Sequence, residues 1–419
     1  MTRNQTELVE TPSFRNNITF FVFGFCTYIL VSVKFVIAED VLADSVYPTT
    51  VVFTCGMGPW FLTTLIFPYF IGKVSYSLRV LFIAIFGTGG LLLISLSKVL
   101  ALKLLGVCFT SLSCGMSAVT FIPLTAFYRE STVKAYTAGT GCGLCFGTFY
   151  YAVLTSWACV SSETTLLTEA CAPVLLLTFY AFFLRRKQPK LPAGEAVTSP
   201  LLPVAQDKTH PSLLCNDKLM AIRQTLRYVL PFYIGVLSQF IILQSVVTTM
   251  AFPNDLFHPR DLYQFYVFAF VLGNFISRSY RVILSLFQNG STLLIRPTWI
   301  LSMCLVAVLI FLSVCSWYRS PQSAWMVGGV LLGVGLLAGL LYTSTFTVVG
   351  EDEPPSVKEF CRAFTTVASV SGALTAGFLG LFLEHVFLHH CTSVEKHNQY
   401  CYTRIVGKFN TTVKCDWGK

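Results

Sequence analysis

The chain has 419 residues, of which 54% are apolar and only 12% charged, against about 25% charged in an ordinary soluble domain. That composition excludes a soluble globular chain and indicates a polytopic helical protein embedded in the lipid bilayer. The net charge of +9 then reports loop topology rather than affinity for nucleic acid, because basic residues of such proteins gather on the cytosolic side.

After a polar N-terminus (residues 1–17), the chain enters runs long enough to cross hydrocarbon, roughly 20 residues at ~1.5 Å rise each. The predicted spans are Ile18–Ala38, Thr49–Phe70, Leu78–Leu96, Leu104–Phe127, Thr137–Trp157, Leu166–Leu184, Tyr228–Met250, Tyr263–Ile283, Thr298–Trp317, Ala324–Val348 and Val367–Phe387. These eleven spans predict an all-α fold in two groups, residues 18–184 and 228–387, joined by a linker over 185–227 and followed by a polar tail over 388–419. Basic residues cluster beside Lys73, Arg129 with Lys134, Arg185 to Lys190, Arg223 with Arg227, and Lys358 with Arg362. Their distribution places the N-terminus in the cytosol. An odd number of spans then places the tail in a lumen. That tail carries the sequon Asn410-Thr411-Thr412 together with Cys391, Cys401 and Cys415, which are open to oxidation in such a compartment. The other cysteines fall mostly inside apolar runs, where the thiol behaves as a small hydrophobe.

The first span holds Lys34, an intramembrane charge that is costly to bury and therefore a candidate for function. Tyr28 lies on the same span, and Glu39 and Asp40 follow within reach of an ion pair. Between Cys108 and Tyr151, two runs rich in small residues flank a polar hinge, Tyr128 to Lys134. Small residues let transmembrane backbones approach closely. The pattern returns between Leu336 and Phe378, where Val133-Lys134-Ala135-Tyr136 recurs as Val357-Lys358-Glu359-Phe360. Repeated halves of this kind are typical of transporters, with the site at their interface, although small residues also serve plain packing.

The linker is Pro- and charge-rich and is expected to be flexible. Its Leu201-Leu202 pair, downstream of Glu195, is a candidate endolysosomal sorting signal read by trafficking adaptors. Polar candidates in the later spans are Gln239, Gln244, Asn274, Tyr342 and Ser344, with Arg278 read as an anchor near a cytosolic end that could also gate or bind anions. Glu384, His385, His389 and His390 cluster near the end of the last span, where imidazoles titrate near endosomal pH. No nucleophile elbow, phosphate-cradling loop or Cys/His zinc spacing occurs, so neither an enzyme, a cofactor nor a metal site is expected.

Several blocks carry a family resemblance: Val119-Thr120-Phe121, Leu124-Thr125-Ala126-Phe127-Tyr128, Gly139-Thr140-Gly141, Phe275-Ile276-Ser277-Arg278-Ser279, Tyr342 with Thr345-Phe346, and Glu359-Phe360. In order and spacing the chain resembles the battenin family over Phe23 to Phe387. The resemblance implies a major-facilitator-like fold, residence in the lysosomal or vacuolar membrane, and transport. Roles discussed for the family are export of glycerophosphodiesters, handling of basic amino acids and lumenal pH homeostasis. Asp40 and Glu359 match family acidic positions. Ala118, Gln239, Val334 and Ser369 stand where the family carries carboxylates.

The expectation is therefore a small polar metabolite held between the first, fourth, seventh and tenth spans. Lys34 is expected to meet an anionic group, with Tyr28, Gln239, Gln244, Tyr342 and Ser344 as polar contacts. Asp40, Arg129, Lys134, Arg278 and Glu359 are read as gating or structural groups. A non-transporting trafficking scaffold, built on the linker and the Glu351–Arg362 segment, is the alternative. A polar cavity between the halves separates the two readings.

Overall fold

The computed structural model describes residues 14–42, 47, 50–70, 74–125, 128, 130–158, 160–184, 215–252, 259–287, 295–320, 323–353, 358–394 and 401. Arg129, Leu201, Leu202, Asn410 and Cys415 lie outside these residues, as does the side chain of Glu359.

The apolar runs form helices because uninterrupted backbone hydrogen bonding is the only way an open chain segment satisfies its polar groups in lipid. The N-terminal group comprises α1 (Phe14–Val36), the short α2 (Ala38–Val41), α3 (Thr50–Phe70), α4 (Tyr76–Leu96), α5 (Leu100–Leu124), α6 (Glu130–Ala152), α7 (Ser162–Glu169) and α8 (Cys171–Thr178). The C-terminal group comprises α9 (Cys215–Ile241), α10 (Pro259–Phe287), α11 (Thr298–Tyr318), α12 (Ala324–Asp352) and α13 (Lys358–Val394).

Two spans are not simple rods, and each break has a cause in the sequence. The predicted sixth span is split into α7 and α8. Pro173 has no N–H to give the Glu169 carbonyl, and the helix turns at Ala170, whose carbonyl oxygen accepts from the Thr88 hydroxyl at 3.4 Å. Pro231 lies inside α9, and its carbonyl oxygen is taken by the Ser302 hydroxyl at 2.6 Å. α9 then loosens into a π-helical turn, Ile242–Val246, and a tighter turn, Val247–Thr249. The carbonyls left open there meet the guanidinium of Arg319, which donates to Thr249 and Ala251 oxygens at 2.7 Å each. Arg319 itself ends α11 in the left-handed conformation, with φ of 53°. α9 starts at Cys215, so the stretch ahead of Tyr228, expected to belong to the linker, is already helical.

Nine helical stretches among the described residues are long and apolar enough to cross a membrane. The two other predicted spans, α6 and α10, are long enough, at 23 and 29 residues, but more polar. They pack on each other, so part of each surface faces protein rather than lipid.

The helix pairings repeat between the groups. α1 packs on α6 as α9 packs on α13; α3 on α5 as α10 on α12; α4 on α5 as α11 on α12. The contacts that join the groups, α6 with α10 and α3 with α13, exchange with each other under the same correspondence. That is the relation a rotation of one half onto the other requires. The early and late small-residue hairpins, α5–α6 and α12–α13, are thus equivalent, as their sequences suggest. The closest approaches sit at glycines: a Cβ on Gly139 of α6 would lie 2.1 Å from the Phe21 carbonyl oxygen of α1, and one on Gly335 of α12 would lie 2.0 Å from that of Phe270 on α10.

Candidate functional site

A cavity of about 100 Å³ lies where the halves meet. Its wall draws on α1 (Tyr28), α3 (Trp60), α5 (Ala118), α6 (Tyr136), α9 (Gln239), α10 (Asn274, Arg278), α12 (Tyr342) and α13 (Ser369). Every long helix of the central layer contributes, because the repeated pairings turn one face of each toward the shared axis. Phe35 and Phe53 stack toward Phe240 across the halves, with centroids 5.9 and 5.1 Å away, at the end of the cavity nearest the C-terminus of α1.

Arg278 dominates the electrostatics. The residue is only 8% exposed. Its guanidinium donates to the Thr140 hydroxyl at 3.1 Å and lies 4.0 Å over the Tyr342 ring and 5.4 Å from that of Tyr28. Its Nε has no hydrogen-bond partner, and neither has Asn274 Oδ1 or Trp60 Nε1. Among the described residues no carboxylate lies within ion-pairing distance of it. A buried cation held only by a hydroxyl and two ring faces leaves donors for an anionic guest. Three of the positions at which the family resemblance suggests carboxylates, Ala118, Gln239 and Ser369, line this same wall, and Val334 is buried in α12. All four are neutral, so they do not offset the charge.

Lys34 takes a different place from the expected one. It is 2% exposed and not part of the cavity wall. Its ammonium donates to Ser111 of α5 at 3.2 Å and stacks 4.6 Å over Trp60, which is in the wall. Lys34 thus sits one layer behind the surface, with no carboxylate partner among the described residues. Asp40, expected near it, instead accepts from the Tyr151 hydroxyl.

Tyr28, Gln239 and Tyr342 line the cavity, whereas Gln244 and Ser344 do not. Gln244 is buried in the π-helical turn, where its backbone carbonyl accepts from Thr50 at 3.2 Å. Ser344 is fully buried on α12. Lys134 is half-buried on the first turn of α6, away from the wall. Trp60 and Tyr136 escaped the sequence reading. Phe53, Met57 and Trp60 repeat at i, i+4 and i+7 on α3 and are all buried, a stripe that marks the protein-facing side. At the other end of the last helix, His390 stacks on Trp317 at 3.6 Å, Glu384 accepts from Thr50, and Cys391 pairs with Cys401. The expected histidine cluster is therefore partly built into packing.

Two sets of helices related by rotation around a central cavity, largely apolar but with Arg278, Asn274, Gln239 and Ser369 in its wall, define a multi-pass membrane protein with the major-facilitator type of fold. A mutant form of the nucleoside transporter NupG has this fold, with a TM-score of 0.54 at 12% identity over 90% of this chain and 97% of that one. The family described as CLN3 protein matches residues 18–209 and 195–390, and the chain belongs to that family. Protein BTN1 of Eremothecium gossypii is 28% identical over 406 residues, covering 88% of this chain and 95% of that protein. Battenin of Canis lupus familiaris is 30% identical over 351 residues, covering 82% of this chain and 78% of that protein.

Proposed function

We propose that this protein is a transporter of the lysosomal or vacuolar membrane that moves a small phosphate-bearing metabolite, of the glycerophosphodiester class, by alternating access between its two halves. The observation that carries this reading is Arg278: a guanidinium in the central wall, held on aromatic faces and without a carboxylate facing it. Its fork suits phosphate geometry, while Trp60, Tyr136, Gln239 and Asn274 offer polar contacts for the esterified alcohol. A basic amino acid, the other substrate class discussed for the family, would meet a like charge there, so phosphate esters are favoured. Lys34 adds positive potential from behind Trp60 without touching the ligand. The buried Arg278 in an otherwise largely apolar wall also weighs against a scaffold, whose inter-half seam has no need of a cation. Sorting through Leu201-Leu202, glycosylation at Asn410 and a contribution to lumenal pH remain part of the proposal.

The test is uptake into proteoliposomes of radiolabelled glycerophosphodiesters, set against lysine and arginine. Glycerophosphodiester uptake that the basic amino acids do not compete is expected; uptake of lysine or arginine alone would overturn the substrate class. Lys34→Met keeps the side-chain volume and removes a buried charge whose partners, the Ser111 hydroxyl, the Cys114 thiol and the Trp60 ring face, are all neutral. Its thermal midpoint is expected to stay level or rise. Uptake affinity is expected to fall by roughly 3- to 10-fold, the range of a screened charge near but not on the ligand (about 0.7–1.4 kcal/mol). A complete loss of binding with an unchanged midpoint would place Lys34 on the ligand instead.

A further inference from the structure

A second cavity of about 750 Å³ opens on the outer flank of the N-terminal half, far larger than the central one. It is lined by α1, α4, α6, α7 and α8, and its rim residues Phe146, Val174 and Leu175 are exposed apolar side chains of the kind that face lipid. One lining residue does not fit an apolar groove. Glu169, the last residue of α7, is 5% exposed, and neither of its carboxyl oxygens has a hydrogen-bond partner. Its polar neighbours are otherwise engaged. The Tyr150 and Thr168 hydroxyls bond each other at 2.8 Å, and the Thr88 hydroxyl is turned to the Ala170 carbonyl. Among the described residues no Lys or Arg lines the groove. Glu169 lies seven residues into α7, about 10 Å along the helix axis, at a depth where a headgroup amine can follow an alkyl chain.

We propose that this groove is a lateral binding site for a single-chain amphiphile bearing a primary ammonium group, its chain along Phe146, Val174 and Leu175 and its ammonium on the Glu169 carboxylate. Charge complementarity selects this occupant. An isolated buried carboxyl lacks the cation or donors that normally accompany such a group, which an ammonium supplies and a phosphate headgroup does not. The wall otherwise consists of hydrocarbon and rings, which suits one alkyl chain. The site is separate from the central cavity and does not depend on the transport reading.

The experiment uses the full chain in lipid nanodiscs with a diazirine-bearing analogue of stearylamine, and maps the labelled peptides by mass spectrometry. Labelling is expected on α6, α7 and α8, competed by stearylamine and not by stearyl alcohol. Glu169→Gln is expected to reduce it by roughly tenfold or more, as for loss of one charge-assisted contact. Competition by the alcohol as strong as by the amine, or full labelling of Glu169→Gln, overturns the proposal. If Glu169→Gln does not fold, Val174→Trp fills the groove from its lipid-facing rim and must likewise abolish labelling; undiminished labelling of that variant also overturns it.

Discussion

Arg278→Ala is expected to weaken binding of the phosphate-bearing ligand by roughly 30- to 160-fold, the equivalent of about 2–3 kcal/mol for hydrogen bonds to a charged group. The same substitution is expected to leave the fold standing. Among the described residues Arg278 has one neutral hydrogen bond, to Thr140, and two ring contacts. Removing a buried charge so sparsely paired also removes its desolvation cost. Binding and stability are thus expected to separate. Arg278→Lys should not rescue the affinity, because an ammonium offers neither the planar fork nor the flat surface that lies 4.0 Å over the Tyr342 ring. Scintillation proximity binding and thermal melts on the same purified samples check both halves of the statement. A variant that loses midpoint and binding together would make Arg278 a structural strut between α6 and α10.

The largest effect on stability is expected from glycines at the helix crossings. Gly335→Ala would put a Cβ 2.0 Å from the Phe270 carbonyl oxygen, and Gly139→Ala would put one 2.1 Å from that of Phe21. The atoms met are backbone, so no side-chain rotation relieves the clash and α10 must part from α12, or α1 from α6. A loss of about 3 kcal/mol is expected for each, the upper part of the overpacking range. α12 contains its own controls, since a Cβ at Gly329 or Gly333 would meet nothing within 4 Å. Alanine at either should be neutral or stabilise by up to ~1 kcal/mol through helix propensity. Thermal unfolding of the four variants in one detergent separates the cases. Equal midpoints for Gly335→Ala and Gly333→Ala would refute the close crossing.

Much of this architecture is legible in the sequence because lipid imposes a simple rule on it: apolar runs of fixed length must be helices. The doubled small-residue hairpin likewise announces the repeat, since only small residues allow the crossings seen at Gly139 and Gly335. The site was harder to read, and the reason is where each helix ends. Hydropathy closes the eighth span at Ile283, which makes Arg278 look like an end anchor. α10 runs on to Phe287, which places Arg278 nine residues, about 14 Å, inside the helix. The same effect hides Glu169: a span begun at Leu166 leaves it at a membrane border, whereas α7 begins at Ser162. Lys34 was conspicuous as a charge, but its exposure depends on whether Trp60 lies in front of it, and that is a property of α3 packing which no local pattern encodes. Gln244 and Ser344 lie outside the cavity wall for the related reason that a polar residue on a buried helix has several inward directions, only one of which leads to the cavity.

The rocking of one half against the other is tested most directly by fastening the aromatic closure between them. Phe53 and Phe240 lie on opposite halves with ring centroids 5.1 Å apart. Paired Phe53→Cys and Phe240→Cys substitutions, bridged in proteoliposomes by a bis-methanethiosulfonate reagent and compared with each single substitution, should stop glycerophosphodiester uptake. Reduction should restore it. Uptake that continues unchanged in fully cross-linked protein would contradict alternating access through this cavity.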